Sequence, residues 1–165
     1  MTSARLLDHY HLYGPVLSFT VLGEPVGQGR ITTFGRGRSV HSNASRLLPW
    51  RELVQHAAED AIVEYGETRW ASFPLLGPVG LYVCFTMPKA KSAPKTTTTF
   101  PTKRPDASHL LRAVEDALQN AGVYKDDSQI IDDHAVKAYP GEHAQALHVP
   151  GAVIRVYTIG GTRDA

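Results

Sequence analysis

Apolar and polar positions alternate in six stretches that read as regular structure. Val16 to Leu22 (VLSFTVL) is rich in β-branched and aromatic residues and stops at Gly23, which predicts a strand. Gly23 to Ser39 carries glycines at 23, 27, 29, 35 and 37 and predicts a loop or a ragged hairpin. Ser45 to Tyr65 predicts a helix. Pro49 stands at a first-turn position, the helix proper runs from Trp50, and Leu53, Ala57, Ala61 and Ile62 form one apolar face. Pro78 to Met87 is apolar enough to be a central strand, whereas the lysine-, proline- and threonine-rich stretch that follows has no apolar period. An irregular loop of that length in a small domain is functional or disordered. Asp106 to Asn120 is the clearest helix. Leu110, Leu111, Val114, Ala117 and Leu118 make its buried stripe, His109, Arg112, Asp116 and Asn120 make a polar one, and Gly122 ends it. Gln129 to Tyr139 predicts an edge strand of mixed polarity, and Ala152 to Ile159 a last, clearly alternating strand.

The order β-α-β-α-β-β predicts a single α+β domain, two main helices covering one face of a mixed or largely antiparallel sheet. The expected limits are an N-terminal extension over 1–14, the domain over 15–160 and a tail over 161–165. At 165 residues and 42% hydrophobic, the chain suffices for one real core. No apolar run approaches the roughly 18 residues that cross a membrane, and the N-terminus does not read as a signal peptide. A cytoplasmic protein is therefore expected. Cys84, the single cysteine, excludes an internal disulfide and a cysteine-based metal site; its run LYVCFTM predicts a buried, inert thiol.

The net charge of +1 says little about partners, but its distribution says more. Arg30, Arg36, Arg38, Arg46 and Arg51 follow one another without an intervening acid. So do Lys89, Lys91, Lys95, Lys103 and Arg104, while acids gather from Glu115 to Asp133. Two cationic segments around an anionic centre suit a protein that holds phosphate with basic residues and metal with carboxylates. A solvated surface with accidental clustering is the plainer alternative. The glycines match neither dinucleotide nor P-loop patterns, so no nucleotide cradle is expected.

Three acidic stations punctuate Arg104 to Gln129: Asp106, Asp116, and the pair Asp126 and Asp127. At about 1.5 Å per residue, Asp106 and Asp116 stand about 15 Å apart along a helix, too far to share one ion. The turn after Gly122 is free to bring Asp126 and Asp127 beside either helix end. Phosphodiester hydrolysis needs an activated water and a stabilised leaving oxygen, which Mg²⁺ on hard oxygen ligands supplies, with a nearby cation neutralising charge. Each acid also has an ordinary role: Asp106 as a helix cap, Asp116 as a solvated helix position, Asp126 and Asp127 as a polar turn, Asp132 and Asp133 as solvated strand residues.

From Asp106 to Ile130 the chain reads D-A-S-H-L-L-R-A-V-E-D-A-L-Q-N-A-G-V-Y-K-D-D-S-Q-I. This resembles the RusA-like Holliday-junction resolvases, whose signature is approximately D-x-D-N-L-x-K-x-x-x-D-A-L-x-x-x-G-x-x-x-D-D-x-Q-[IV]. The likeness extends over about Phe19 to Ile159, taking in Gly23-Glu24-Pro25 and the basic segment to Arg38 upstream, and the strand carrying Lys137 downstream. The resemblance implies a homodimer that nicks branched, four-way DNA with Mg²⁺, in recombination, repair or phage DNA processing. It maps the catalytic carboxylates onto Asp106 and Asp127, with Asp116 and Asp126 beside them, and the helix lysine onto Arg112. Arg30, Arg36, Arg38, Lys89, Lys91, Lys95, Lys103, Arg104 and Lys137 become the DNA-binding set. Ser108 replaces an expected carboxylate, and His109 stands where Asn or Lys is usual. His109 as a replacement ligand shifts the expected preference toward Mn²⁺. The alternative is a catalytically weakened protein that still binds junctions.

Overall fold

The computed structural model of the chain describes residues 14–34, 38–68 and 72–160. The extension and tail expected at the two ends fall outside that range, Gly14 aside. Strand β1 (Leu17–Leu22) is followed by a hairpin of β2 (Ile31–Phe34) and β3 (Arg38–His41), then helix α1 (Ala44–Thr68) and strand β4 (Val79–Thr86). Helix α2 (Ala107–Asn120), a 3-10 turn (Asp127–Gln129), β5 (Ile130–Ala138) and β6 (Gly151–Thr158) complete the order. The fold is the expected α+β domain. It adds the β2–β3 hairpin, where the glycine-rich sequence left loop and hairpin open.

The main sheet runs β1-β6-β4-β5. β6 pairs antiparallel with β1 and β4, and β5 lies parallel to β4 at the edge. A parallel pair cannot be closed by a tight turn, and α2 provides the crossover between them. Leu17 and Val21, Leu81, Val83 and Phe85, and Ala152, Ile154 and Val156 alternate onto one face. They meet Leu47, Trp50, Val54 and Ala58 of α1 and Leu110, Val114, Ala117 and Leu118 of α2 in a single core. Each large apolar side chain so buried contributes roughly 1.5–3 kcal/mol. Cys84 faces the opposite side of the sheet, fully buried, and burial pushes its thiol pKa up, as an inert thiol requires.

α1 departs from the expected start at Trp50. The carbonyl of Asn43 accepts from the backbone N–H groups of Arg46 and Leu47, each at 3.0 Å, so the helix begins at Ala44 with Pro49 inside it. Pro49 forgoes the hydrogen bond to the Ser45 carbonyl and crowds it, and the fully buried Leu47 ties the preceding turn to the core. The buried face is Leu47, Trp50, Val54 and Ala58, with Ala57, Ala61 and Ile62 packed at its margin. Leu53, expected within it, is exposed.

Two glycines let the segment after β1 lie flat against its neighbours. A Cβ on Gly29 would stand 2.3 Å from Asn43 Oδ1, and one on Gly27 would stand 3.1 Å from His109 Cβ. The Gln28 N–H also donates to the His109 carbonyl at 3.0 Å, so this stretch is pinned to α2. The long loop after β4 is likewise tied down. Glu142 pairs with Lys89 and accepts from the Thr99 N–H at 3.1 Å, and the Lys89 ammonium holds its carboxyl below the usual range. Among the described residues no helix is long and apolar enough to cross a membrane.

Candidate active site

α2 presents a polar face because its apolar and polar stripes are cleanly separated. Its core side is Leu110, Leu111, Ala113, Val114, Ala117 and Leu118. Ser108, Arg112 and Glu115 recur at spacings of four and three and share a face at a cleft of about 470 Å³. His109, Gln28, His41 and Asp133 line the same cleft. Asp133 reaches it from β5, where Asp133, Ala135 and Lys137 alternate toward α2. Asp132 and His134 point the other way and pair at 3.2 Å.

Glu115 is half-buried in this cleft. Burial raises its carboxyl pKa, the Asp133 carboxylate raises it further, and Asp127 and Asp116 add to the effect, while Arg112 opposes it. Burial raises the pKa of Tyr124, and Glu115, Asp127 and Asp116 raise it further; its hydroxyl donates to the Glu115 carbonyl at 2.8 Å. An anionic centre thus spans Glu115, Asp116, Asp127 and Asp133, with Arg112 as the cation facing Glu115. The sequence assigned neither Glu115 nor Asp133 to a site, and read Asp133 as a solvated strand residue, whereas it lines this cleft. Glu115 lies seven positions beyond Ser108, a spacing that could have found it. Asp133 depends on strand pairing and carries no local signal.

The acids expected to bind metal are distributed along α2. Asp106 is the N-cap residue, yet its side chain makes no capping hydrogen bond. It lines a second cleft, of about 600 Å³, with Arg30, Arg46 and Arg104. Asp116 is held by Arg51 at 3.3 Å and by the Gln28 amide, so it joins α1, α2 and the segment after β1. Asp126 caps the 3-10 turn by accepting from the Ser128 N–H at 2.9 Å, and its interactions with Ser128 hold its carboxyl below the usual range. The Asp127 N–H donates to Gln119 Oε1 at 3.2 Å, one residue from the C-terminal end of α2. Gln129 explains its place in the D-D-x-Q run. Its Oε1 accepts from Lys125 and Asp126, and its Nε2 donates to the carbonyls of Leu75 and Gly77.

Asp106 and Asp127 therefore stand at opposite ends of a 14-residue helix, about 20 Å long. Metal–oxygen bonds for Mg²⁺ are about 2 Å. Among the described residues no group of three or more His, Cys, Asp or Glu is arranged to hold a metal ion. One protomer does not assemble the expected ligand set, His109 included.

The cationic residues divide as well. Arg30, Lys91, Lys95, Lys103 and Arg104 are exposed. Lys89 is committed to Glu142 and lies over the Tyr139 ring, 5.6 Å from its centroid. The Lys137 ammonium donates to the carbonyls of Lys103 and Pro105 at 2.9 and 2.8 Å, so two of its three donors brace the turn before Asp106. Arg38 is placed by its backbone at the start of β3, and Arg36 lies outside the described residues.

Two comparisons bear on this arrangement. A Bacillus subtilis (strain 168) protein, the uncharacterized YqaN, is 32% identical over 135 residues, which cover 76% of this chain and 89% of that one. The family model of the endodeoxyribonuclease RusA matches residues 23–150, from the segment after β1 through both clefts to the start of β6. The chain belongs to the RusA endodeoxyribonuclease family.

Proposed function

We propose that this protein is a metal-dependent endonuclease that cuts four-way or otherwise branched DNA, and that it acts as a homodimer. The observation that carries the reading is the placement, in a chain of this family, of an acidic cleft and a cationic cleft along one helix. The arginines around Asp106 would hold a strand's phosphates, and Arg112 would offset charge gathering beside Glu115 and Asp133. Mg²⁺ is the ion proposed, with Mn²⁺ favoured by the imidazole of His109. Its proposed seat combines the Asp106 of one copy with the Asp127 of the other, which one copy holds at opposite ends of α2. The arginine-rich start of α2 and its acidic end are complementary, and a two-fold axis would set one copy's start against the other's end. The test is cleavage of an end-labelled four-way junction in Mg²⁺ and in Mn²⁺ by the wild type and by Asp127→Asn. The reading expects the wild type to nick the junction and the variant to bind without cutting. Equal cleavage by both, or none by either, would count against it.

One feature favours a second reading. Ser108 lines the acidic cleft at the position where the signature has a carboxylate, so the same fold with one charge fewer would bind junctions and cut them weakly. Rapid cleavage by the wild type would remove that alternative.

A further inference from the structure

The cleft at the start of α2 is built like an anion site whose occupant is presently a side chain. Arg30, Arg46 and Arg104 converge on a space of about 600 Å³, with Ser42 beside them and Asp106 on its wall. Arg46 belongs to the first cationic segment of the sequence but not to the set that the resemblance assigns to DNA. It pairs with Glu24 at 2.7 Å, and both side chains are more than half exposed, at 64% and 55%. Such a pair holds its partners weakly because water competes for both charges. A guanidinium presents a planar fork that matches two oxygens of a carboxylate or of a phosphate. The Glu24 carboxylate is the group that a phosphate would displace from Arg46. The space exceeds what one small anion needs and suits a nucleotide within a strand.

We propose that this cleft is a phosphodiester subsite for the DNA strand next to Asp106, and that Glu24 is a displaceable lid on it. A backbone phosphate takes over Arg46 from Glu24, with Arg30, Arg104 and the Ser42 hydroxyl completing its contacts. The inference rests on the DNA-binding reading above and adds a named competitor. Glu24 lowers affinity for DNA, and Arg46 raises it.

That opposition makes the test sharp. A labelled four-way junction is titrated in EDTA, so that no strand is cut, at several salt concentrations, with the wild type, Glu24→Gln and Arg46→Ala. Glu24→Gln should bind about 2- to 5-fold more tightly, because Arg46 is freed and a repelling carboxylate removed. Arg46→Ala should bind about 3- to 10-fold more weakly, and the slope of log affinity against log salt should fall by about 0.7–0.9, one phosphate contact. If Arg46 and Glu24 serve only each other, both variants lose the same surface pair and leave the affinity where it was. Unchanged affinities, or shifts of the same sign, overturn the subsite while leaving DNA binding intact. A wild type that does not bind the junction removes the DNA reading itself and the subsite with it.

Discussion

Replacing Lys137 with methionine separates a brace from a phosphate contact. The Lys137 ammonium donates to the Lys103 carbonyl at 2.9 Å and to the Pro105 carbonyl at 2.8 Å, directly before Asp106. Hydrogen bonds to a charged group contribute roughly 1.5–3 kcal/mol each. The bond to Lys103 is exposed and counts for little, so the pair amounts to about 2–3 kcal/mol. For a chain of this size 1 kcal/mol moves the melting temperature by about 2–4 °C, so Lys137→Met should melt about 5–10 °C lower. Because the ammonium is engaged by two backbone carbonyls, the salt dependence of junction binding should match the wild type. Cleavage should fall, since the turn that aims Asp106 is loosened. Thermal unfolding and a salt titration of binding decide the matter together. An unchanged melting temperature with a salt slope reduced by about 0.9 would refute the brace and return Lys137 to the DNA-contacting set.

Two further outcomes follow from the acidic cleft. Glu115 has its folded-state pKa raised by burial and by Asp133, so the unfolded chain ionises it more readily than the folded one. Its contribution is fully present below the unfolded pKa and is lost as pH rises through the folded value. Glu115→Gln should therefore stabilise the protein near neutral pH and flatten the upper limb of its melting profile, as read by thermal scans across pH; a lower melting temperature at pH 7–8 would contradict this. Ser108→Asp restores the carboxylate of the signature beside Arg112, and should increase junction cleavage in Mg²⁺; an unchanged rate would show that Ser108 does not limit the reaction.

The sequence exposed those parts of the fold that rest on local pattern. The stripe of α2, its end at Gly122 with φ 78°, the edge strand β5 and the alternation of β6 all follow from spacing and turn chemistry. The D-D-x-Q run proved informative about the turn itself, because Asp126 and Gln129 satisfy its backbone donors. What local pattern did not contain was partnership across the chain. α1 begins before Pro49 because Leu47 is buried by distant residues. Asp116 is tied to Arg51 and Gln28, which lie far from it in sequence. Asp133 joins Glu115 only because β5 pairs with β4 in one register, which turns Asp132 to the opposite face. The distance between Asp106 and Asp127 depends on which end of α2 receives the following turn, and only the folded chain decides that.

The most direct measurement of the account mixes two inactive proteins. Asp106→Asn and Asp127→Asn chains are combined in equal amounts, dissociated, reassociated and assayed for nicking of a four-way junction. If the two aspartates of one site come from different copies, each mixed dimer has one doubly altered site and one intact site. Half the dimers are mixed on random exchange, so about one quarter of the wild-type sites should return. Nicking at about that level, from two chains that are each inactive alone, is the result predicted. A mixture as inactive as its components would place both aspartates in one chain's site and contradict the account.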